Sequence, residues 1–162
     1  MLLAHSGVVE RLVELSTGSF ILVSFIAGFF YSSLFTVAPA TVALFELAEA
    51  GAPIHILAIF GGLGGMIADI GLFEIIKFSF IDDITAYFQK ISRGHFAPVF
   101  RLNFFRLLMV GLGTLIIATP IPDEVGLAMM GIGKANVAMV SILTFMLNVL
   151  GIAVLGLIAQ AA

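Results

Sequence analysis

The sequence predicts an all-α, polytopic integral membrane protein built from two related halves. Of its 162 residues, 61% are hydrophobic and 10% are charged, and the mean hydropathy is +1.21. Because a soluble domain carries about 25% charged residues, this composition is typical of a chain that lies in a bilayer. The length suits one transmembrane domain, residues 1–162, with half one at 19–81, a linker at 82–97 and half two at 98–161.

Four apolar segments are each about 20 residues long, which is the length that crosses a bilayer as a helix. They cover residues 19–37, 54–80, 99–118 and 137–159. Residues 1–16, before the first of them, carry charges inside an apolar stretch and lack the basic start of a signal peptide. We interpret them as an interfacial amphipathic helix, with a frayed tail as the alternative.

Two shorter apolar stretches, residues 39–51 and 120–133, follow the first and third long segments. Pro39 opens one, Pro120 and Pro122 open the other, and each closes with glycine, which is the order expected for a short helix. A helix of about a dozen residues at membrane depth predicts a re-entrant segment, here with these prolines at its tip.

Both halves therefore share one order of elements: a long segment, a proline-led short helix, and a second long segment. The distances from proline to the later glycine differ by a single position, which places Asp69 and Asn148 at near-equivalent points. Interrupted apolar segments at matching places in two halves point to a transporter binding site.

The linker, residues 82–97, is predicted to be a surface helix on the cytoplasmic side. Five of the seven basic residues lie in it or flank it, which is the positive-inside pattern: Lys77, Lys90, Arg93, Arg101 and Arg106. If residues 19–37 and 99–118 are full spans, both termini are cytoplasmic. If they are arms of hairpins, the repeats are inverted and the termini lie outside. The equal-length halves favour the inverted arrangement.

Asp69 is the only charged residue in the apolar run from Ile54 to Phe73. A carboxylate near the middle of a bilayer costs about 3 kcal/mol, so such residues usually face a protein interior or a cavity. The row that Gly61 and Gly65 form on one helix face continues to Asp69, which predicts that Asp69 meets other helices. A role with a proton or ion is one interpretation, and a structural hydrogen bond to a neighbouring helix is the other.

Asp123 and Glu124 directly follow Pro122, where a new helix is predicted to begin. Their charge suits a helix N-terminus, so a pair of capping acids is one interpretation. Two carboxylates in one cavity also repel each other, so one is expected to hold a proton near neutral pH, which would suit proton coupling.

Arg106 and Asn148 complete the candidate substrate- or ion-binding residues. Arg106 lies in or near the edge of the third apolar segment, where it either reaches the headgroups, pairs with Asp69 or Glu124, or binds an anionic headgroup. Asn148 lies in the centre of the last segment and either bonds across helices or binds a ligand.

Several classes of function are not expected. The chain has no cysteine, its three histidines show no ligand spacing, and no catalytic or phosphate-binding motif is present, so no metal, cofactor or enzymatic activity is predicted. The net charge of −3 and the lack of a basic cluster argue against nucleic acid as a partner.

The stretches APATVALFELAEAG, GGLGGMIADIGLF and PIPDEVGLAMMGIGK resemble the DedA, or VTT (SNARE-associated), membrane family, of which the chain would be a divergent short member. The resemblance implies two re-entrant hairpins in inverted repeats and a role in proton-linked membrane homeostasis and lipid translocation, including recycling of a polyprenyl-phosphate carrier. It matches Asp123 or Glu124 to the family's embedded acid, Asp69 to its glycine-flanked aspartate and Arg106 to one of its embedded arginines. Here the proline–acid tip lies in the second half instead of the first, and RLNFFR lacks the family's proline between two arginines.

The expected function is a small membrane transporter or lipid translocase, coupled to protons or ions, with its polar site near the middle of the bilayer. Membrane lipids are the expected partners, the expected location is a prokaryotic cytoplasmic membrane, and homo-oligomerisation is left open. The alternative is a non-transporting scaffold or assembly factor in which the embedded polar residues are structural.

Overall fold

The structure is all-helical within the residues it describes, which confirms the predicted class. The computed structural model describes residues 8–78, 103–118 and 123–161, with side chains from residue 18 onward, and these ranges contain no strand. Their helices are α1 (Val8–Tyr31), α2 (Val37–Glu49), α3 (Ile54–Ile76), α4 (Asn103–Ile117), α5 (Asp123–Ile132) and α6 (Val137–Ala161). The predicted linker helix, residues 1–7, and Pro120 and Pro122 fall outside this description, whereas residues 8–16 of the predicted interfacial helix form the first part of α1.

α3 and α6 are long and apolar enough to cross a membrane. They have 23 and 25 residues, with mean hydropathies of 1.9 and 2.5 over their most apolar stretches. At a rise of 1.5 Å per residue each exceeds the roughly 30 Å of a bilayer's hydrocarbon core. By the same measure α2, with 13 residues, and α5, with 10, are too short to cross.

α3 and α6 pack along each other in opposite directions. Gly156, near the end of α6, lies against Ile54 at the start of α3, and Gly65 lies against Asn148 near the middle of both helices. Since residue numbers fall along α6 as they rise along α3, the helices are antiparallel. The turns that precede them therefore lie at opposite ends of the bundle.

α1 runs parallel to α3 and packs closely on it. Gly28 lies against Gly61, and Ser32 reaches Asp69 further along. The chain then reverses into α2, which packs on α1 and α6.

In the second half, α4 packs on α5 but barely touches α6, and α5 packs on α3. The two halves therefore differ in how firmly their first helix is held.

The first reversal comes earlier than the sequence predicts. α1 ends at Tyr31, so the apolar segment expected to continue to residue 37 is broken by a turn at residues 32–36. The backbone carbonyl of Ser33 accepts hydrogen bonds from the amides of Thr36 and Val37, and the Thr36 hydroxyl donates to the Phe30 carbonyl. These polar groups satisfy the ends of α1 and α2 and make the turn. Pro39 lies two residues into α2 and is exposed.

α2 and α5 end in the same kind of turn. The Ala52 amide donates to the Leu47 carbonyl at 3.1 Å, and the Ala135 amide donates to the Met130 carbonyl at 3.0 Å. Each of these hydrogen bonds ends a helix, and the residue just before its donor has a positive φ. In half one that residue is glycine, Gly51 (φ 87°), as predicted; in half two it is Lys134 (φ 57°) instead of the predicted glycine.

These matching turns also correct the predicted equivalence of Asp69 and Asn148. Asn148 lies eleven residues after Val137, the start of α6, whereas Asp69 lies fifteen residues after Ile54, the start of α3. Counted from the start of each helix, Gly65 of α3 corresponds to Asn148 of α6, and Asp69 lies four residues, or one helical turn, further along α3.

Two buried apolar clusters lie on either side of these polar residues. Leu57 of α3 and Ile152 of α6 belong to the first cluster, and Phe73 of α3 and Val140 of α6 belong to the second. Along both helices the polar side chains fall between the two clusters, so packed apolar residues hold them in place.

Candidate functional site

Asp69 is the centre of a buried polar cluster that joins α3, α6 and the turn after α1. Its carboxylate is fully buried and accepts a hydrogen bond on each oxygen: Oδ1 from the Ser32 hydroxyl and Oδ2 from Asn148 Nδ2, the latter at 2.8 Å. The predicted meeting of Asp69 with other helices is thereby confirmed. Gly65 allows this approach, since a Cβ there would lie 2.8 Å from the Asn148 amide.

The start of α5 reaches the same cluster from the second half of the chain. The Ser32 hydroxyl lies 3.4 Å from Asp123 Oδ2, and the Leu34 amide donates to Glu124 Oε1 at 3.5 Å. Thus the turn after α1 contacts the first turn of α5 beside Asp69. Of the predicted site residues, the structure brings together Asp69, Asp123, Glu124 and Asn148.

Both earlier interpretations of Asp123 and Glu124 are compatible with their place in α5. The two acids occupy its first turn, where negative charge interacts favourably with the helix dipole. Capping alone does not account for their contacts with Ser32 and Leu34. The second Glu124 oxygen, Oε2, is buried and has no hydrogen-bond partner among the described residues.

Arg106 lies away from this cluster. Its Nε donates to the Gly133 carbonyl at 3.3 Å, at the C-terminal end of α5, whereas Asp123 and Glu124 lie at the N-terminal end. A helix of ten residues separates the two ends by about 15 Å. Arginine is well suited to the free carbonyls of a helix end. Of the alternatives for Arg106, a pairing with Asp69 or Glu124 is therefore not found.

No basic side chain in the described part of the chain balances the carboxylates of the cluster. Lys77 lies 4.0 Å from Glu74 on α3, Arg106 contacts Gly133, and Lys134 is exposed in the turn after α5. A buried charge is costly unless it is paired or neutralised. The arrangement therefore favours a proton or another positive charge on the cluster.

A cavity of about 650 Å³ opens beside the cluster. Its polar wall consists of side chains from the end of α1, the turn after it, α5 and α6: Tyr31, Ser32, Ser33, Asp123 and Asn148. The remaining wall is largely apolar: Leu34, Val37, Ile117, Ala118, Leu147, Leu150, Gly151 and Val154. An apolar cavity with a few convergent polar groups is the usual form of a small-molecule site.

Sequence reasoning missed Ser32 and Thr144. Thr144 is fully buried, one turn before Asn148 on the same face of α6, so helical spacing would have found it. Its hydroxyl lies near enough to interact with the Asp69 carboxylate, although its geometry falls short of a hydrogen bond. Ser32 gave a weaker signal: a pair of serines that ends an apolar run.

No protein-family model matches the chain, and neither a curated protein nor a solved structure is significantly similar to it. The resemblance to the DedA family therefore stays a prediction. Any function has to be inferred from the cluster and its cavity.

Proposed function

We propose that the chain is a small, proton-coupled membrane transporter in which Asp69 and Asp123 carry the proton. The observation behind this proposal is that both carboxylates lie against the Ser32 hydroxyl with no basic partner among the described residues. A hydroxyl has one proton to donate, so it cannot satisfy two ionised carboxylates at once. Their repulsion is strong in a medium of low dielectric constant, and a proton on either one removes it.

The outer surface supports a position within the bilayer. Many large apolar side chains on α4 and α6 are exposed, including Phe104 at 74%, Leu107 at 68% and Ile142 at 61%. Soluble monomers rarely expose large contiguous apolar patches, whereas acyl chains would cover these favourably. The choice of a prokaryotic cytoplasmic membrane, and of lipid translocation as one form of transport, rests on the resemblance to DedA proteins.

Three features support two inverted, re-entrant hairpins. α3 and α6 are antiparallel, α2 and α5 are too short to span and end in the same turn, and the turn after α1 meets the start of α5 between the long helices. In such an arrangement, each hairpin would enter from its own side of the membrane and end at the cluster. Irregular backbone at membrane depth is tolerated where protein buries it or it lines a cavity.

Cysteine labelling tests this topology. Because the chain has no cysteine of its own, Ala50→Cys before α3 and Ala138→Cys at the start of α6 each give a single reactive thiol at an exposed position. We expect a membrane-impermeant maleimide to label them from opposite sides in intact cells and inverted vesicles. Ala161→Cys, at the far end of α6, should be labelled from the same side as Ala50→Cys. Labelling of Ala50→Cys and Ala138→Cys from one side would exclude inverted halves.

Proton movement across proteoliposomes tests the transport function. The vesicles contain a trapped pH-sensitive dye, and valinomycin with potassium clamps their membrane potential. After a step in the external pH, we expect the internal pH to change faster in vesicles that contain the protein than in empty vesicles. Ser32→Ala should slow this movement, because it removes the hydroxyl between Asp69 and Asp123. Thr41→Ala is the matched control, since the Thr41 hydroxyl donates to the Val37 carbonyl on its own helix and to no other described residue. Equal rates with and without protein would favour the scaffold alternative.

A further inference from the structure

The cavity beside Asp123 carries an inference about what is transported. We infer that the substrate is a drug-sized hydrophobic cation that enters sideways, between the turn after α1 and helix α6. This inference rests on the proposed function, because Asp123 would belong both to the proton-carrying pair and to the cavity wall.

The size and lining of the cavity suit such a molecule. At about 650 Å³ it lies within the range of roughly 300–1,000 Å³ typical of sites for drug-sized ligands. Most of its wall is aliphatic, so a small hydrated ion would leave that wall uncovered. A hydrophobic ligand would instead remove it from water, which stabilises the complex by about 25 cal/mol for each Å² of apolar surface buried.

The charge of the cavity favours a cation. Among the described residues that line the cavity, Asp123 is the one with a charged side chain. The Asp69 carboxylate lies behind Ser32. Tyr31 adds an aromatic ring to the wall, and aromatic rings attract cations. Arg106, the side chain best suited to an anionic headgroup, contacts Gly133 at the far end of α5. An anion in the cavity would therefore meet negative charge without a described basic partner.

The rim of the cavity indicates the route of entry. Leu34 is 52% exposed, Leu150 60% and Val154 54%, and all three line the cavity. In a bilayer, exposed aliphatic side chains at this position would face acyl chains. A molecule dissolved in the membrane would then reach the cavity without crossing a polar surface.

Charge balance links the cation to the proton. When the cation binds beside a protonated Asp123, the carboxyl group releases its proton to solvent water, and the negative carboxylate then balances the bound cation. Proton and cation thus compete for one negative charge, which is the exchange that a proton-coupled transporter requires.

Paired hydrophobic ions provide the test. Tetraphenylphosphonium and tetraphenylborate have nearly the same size and shape but opposite charge, so equilibrium dialysis against the full chain in phosphatidylcholine nanodiscs isolates the effect of charge. We expect saturable binding of the cation, tighter at higher pH, and only the partitioning seen in empty nanodiscs for the anion.

Three variants locate the binding. Asp123→Asn should weaken binding of the cation by about tenfold or more, equivalent to 1.4 kcal/mol. Gly151→Leu should weaken it by filling the cavity while leaving every acid in place; Gly151 tolerates a Cβ, since the nearest atom, the Tyr31 hydroxyl, would lie 3.5 Å away. Glu46→Gln is the matched control, because it removes an exposed acid of α2 that does not line the cavity.

The inference fails if both ions bind alike, or if binding of the cation is independent of pH and unchanged in Asp123→Asn. The pH dependence is measured on the unmodified chain, so the test remains decisive even if a variant does not fold. Proton movement without selective cation binding would overturn the substrate class and leave the proposed function standing. Selective, saturable cation binding without proton movement, even in vesicles supplied with the cation, would overturn the proposed function and leave the binding site standing.

Discussion

Asp69→Asn should abolish proton movement while leaving the helices packed. Asparagine keeps the shape of aspartate, and its side-chain oxygen can still accept from Asn148 Nδ2. Its amide can donate to the Ser32 oxygen, which leaves the Ser32 hydroxyl free to donate to Asp123. The contacts among the helices are thereby retained, but the group that would take up and release a proton is lost. The measurement is the rate of dye-detected proton movement in proteoliposomes, together with the thermal unfolding of the purified protein.

Glu74→Gln is the control for this variant. It also removes one carboxylate from α3, but Glu74 lies outside the cluster and its partner is Lys77. We expect normal proton movement in Glu74→Gln. If Asp69 only connects helices, its replacement should lower the stability only slightly, since interhelical polar contacts in membrane proteins average about 0.6 kcal/mol. Full activity in Asp69→Asn would therefore rule out its role as a proton carrier.

Gly64→Ala should cause a large loss of stability. A Cβ on Gly64 would overlap the Phe25 carbonyl oxygen and would lie 2.7 Å from the Phe29 amide nitrogen. Both contacts are with the backbone of α1, so relief requires the helices to move apart and not merely a side chain to rotate. Overpacking of a core costs typically 1–3 kcal/mol, and we expect a loss of about 3 kcal/mol here. Unfolding of the detergent-solubilised protein by increasing SDS, followed by circular dichroism, measures it.

Gly71→Ala provides a matched control on the same helix. A Cβ on Gly71 would have no neighbour within 4 Å, and alanine is a better helix former than glycine by about 1 kcal/mol. This variant should therefore be as stable as the unmodified protein or slightly more stable. If Gly64→Ala proves equally stable, then the close approach of α1 and α3 does not hold the bundle together.

The apolar periodicity and the isolated charge allowed much of this structure to be predicted. An aspartate inside a long apolar run has few physical alternatives to burial among other helices, so Asp69 could be placed from the sequence. The short helices were also predictable, because proline, glycine and acidic residues have strong preferences at helix ends.

The remaining features depend on contacts between distant segments. The attraction of opposite charges made a pairing of Arg106 with the acids one of the interpretations. In the structure Arg106 bonds the Gly133 carbonyl instead, and because every residue has a backbone carbonyl, the sequence does not show which one an arginine will bond. Lys134 could not be expected at a position with positive φ, because only the surrounding turn imposes that conformation on it. The reversal after Tyr31 depends on hydrogen bonds that the Ser33 carbonyl accepts and that Thr36 donates, and these two residues lie in an otherwise apolar run.

The unequal packing of the two halves means that the cluster is held by closer helix contacts on one side than on the other. Ser32 directly follows α1 and Asp69 belongs to α3, and the backbones of these two helices touch at Gly28 and Gly61, so close backbone contacts hold Ser32 near Asp69. Asp123 is carried by the α4–α5 hairpin, whose first helix barely touches α6. A swing of that hairpin by a few ångströms would break the long hydrogen bond from Ser32 to Asp123 and leave the bond from Ser32 to Asp69 intact. A proton could then no longer pass between Asp69 and Asp123 through Ser32, so the position of the hairpin would control whether the two carboxylates share a proton.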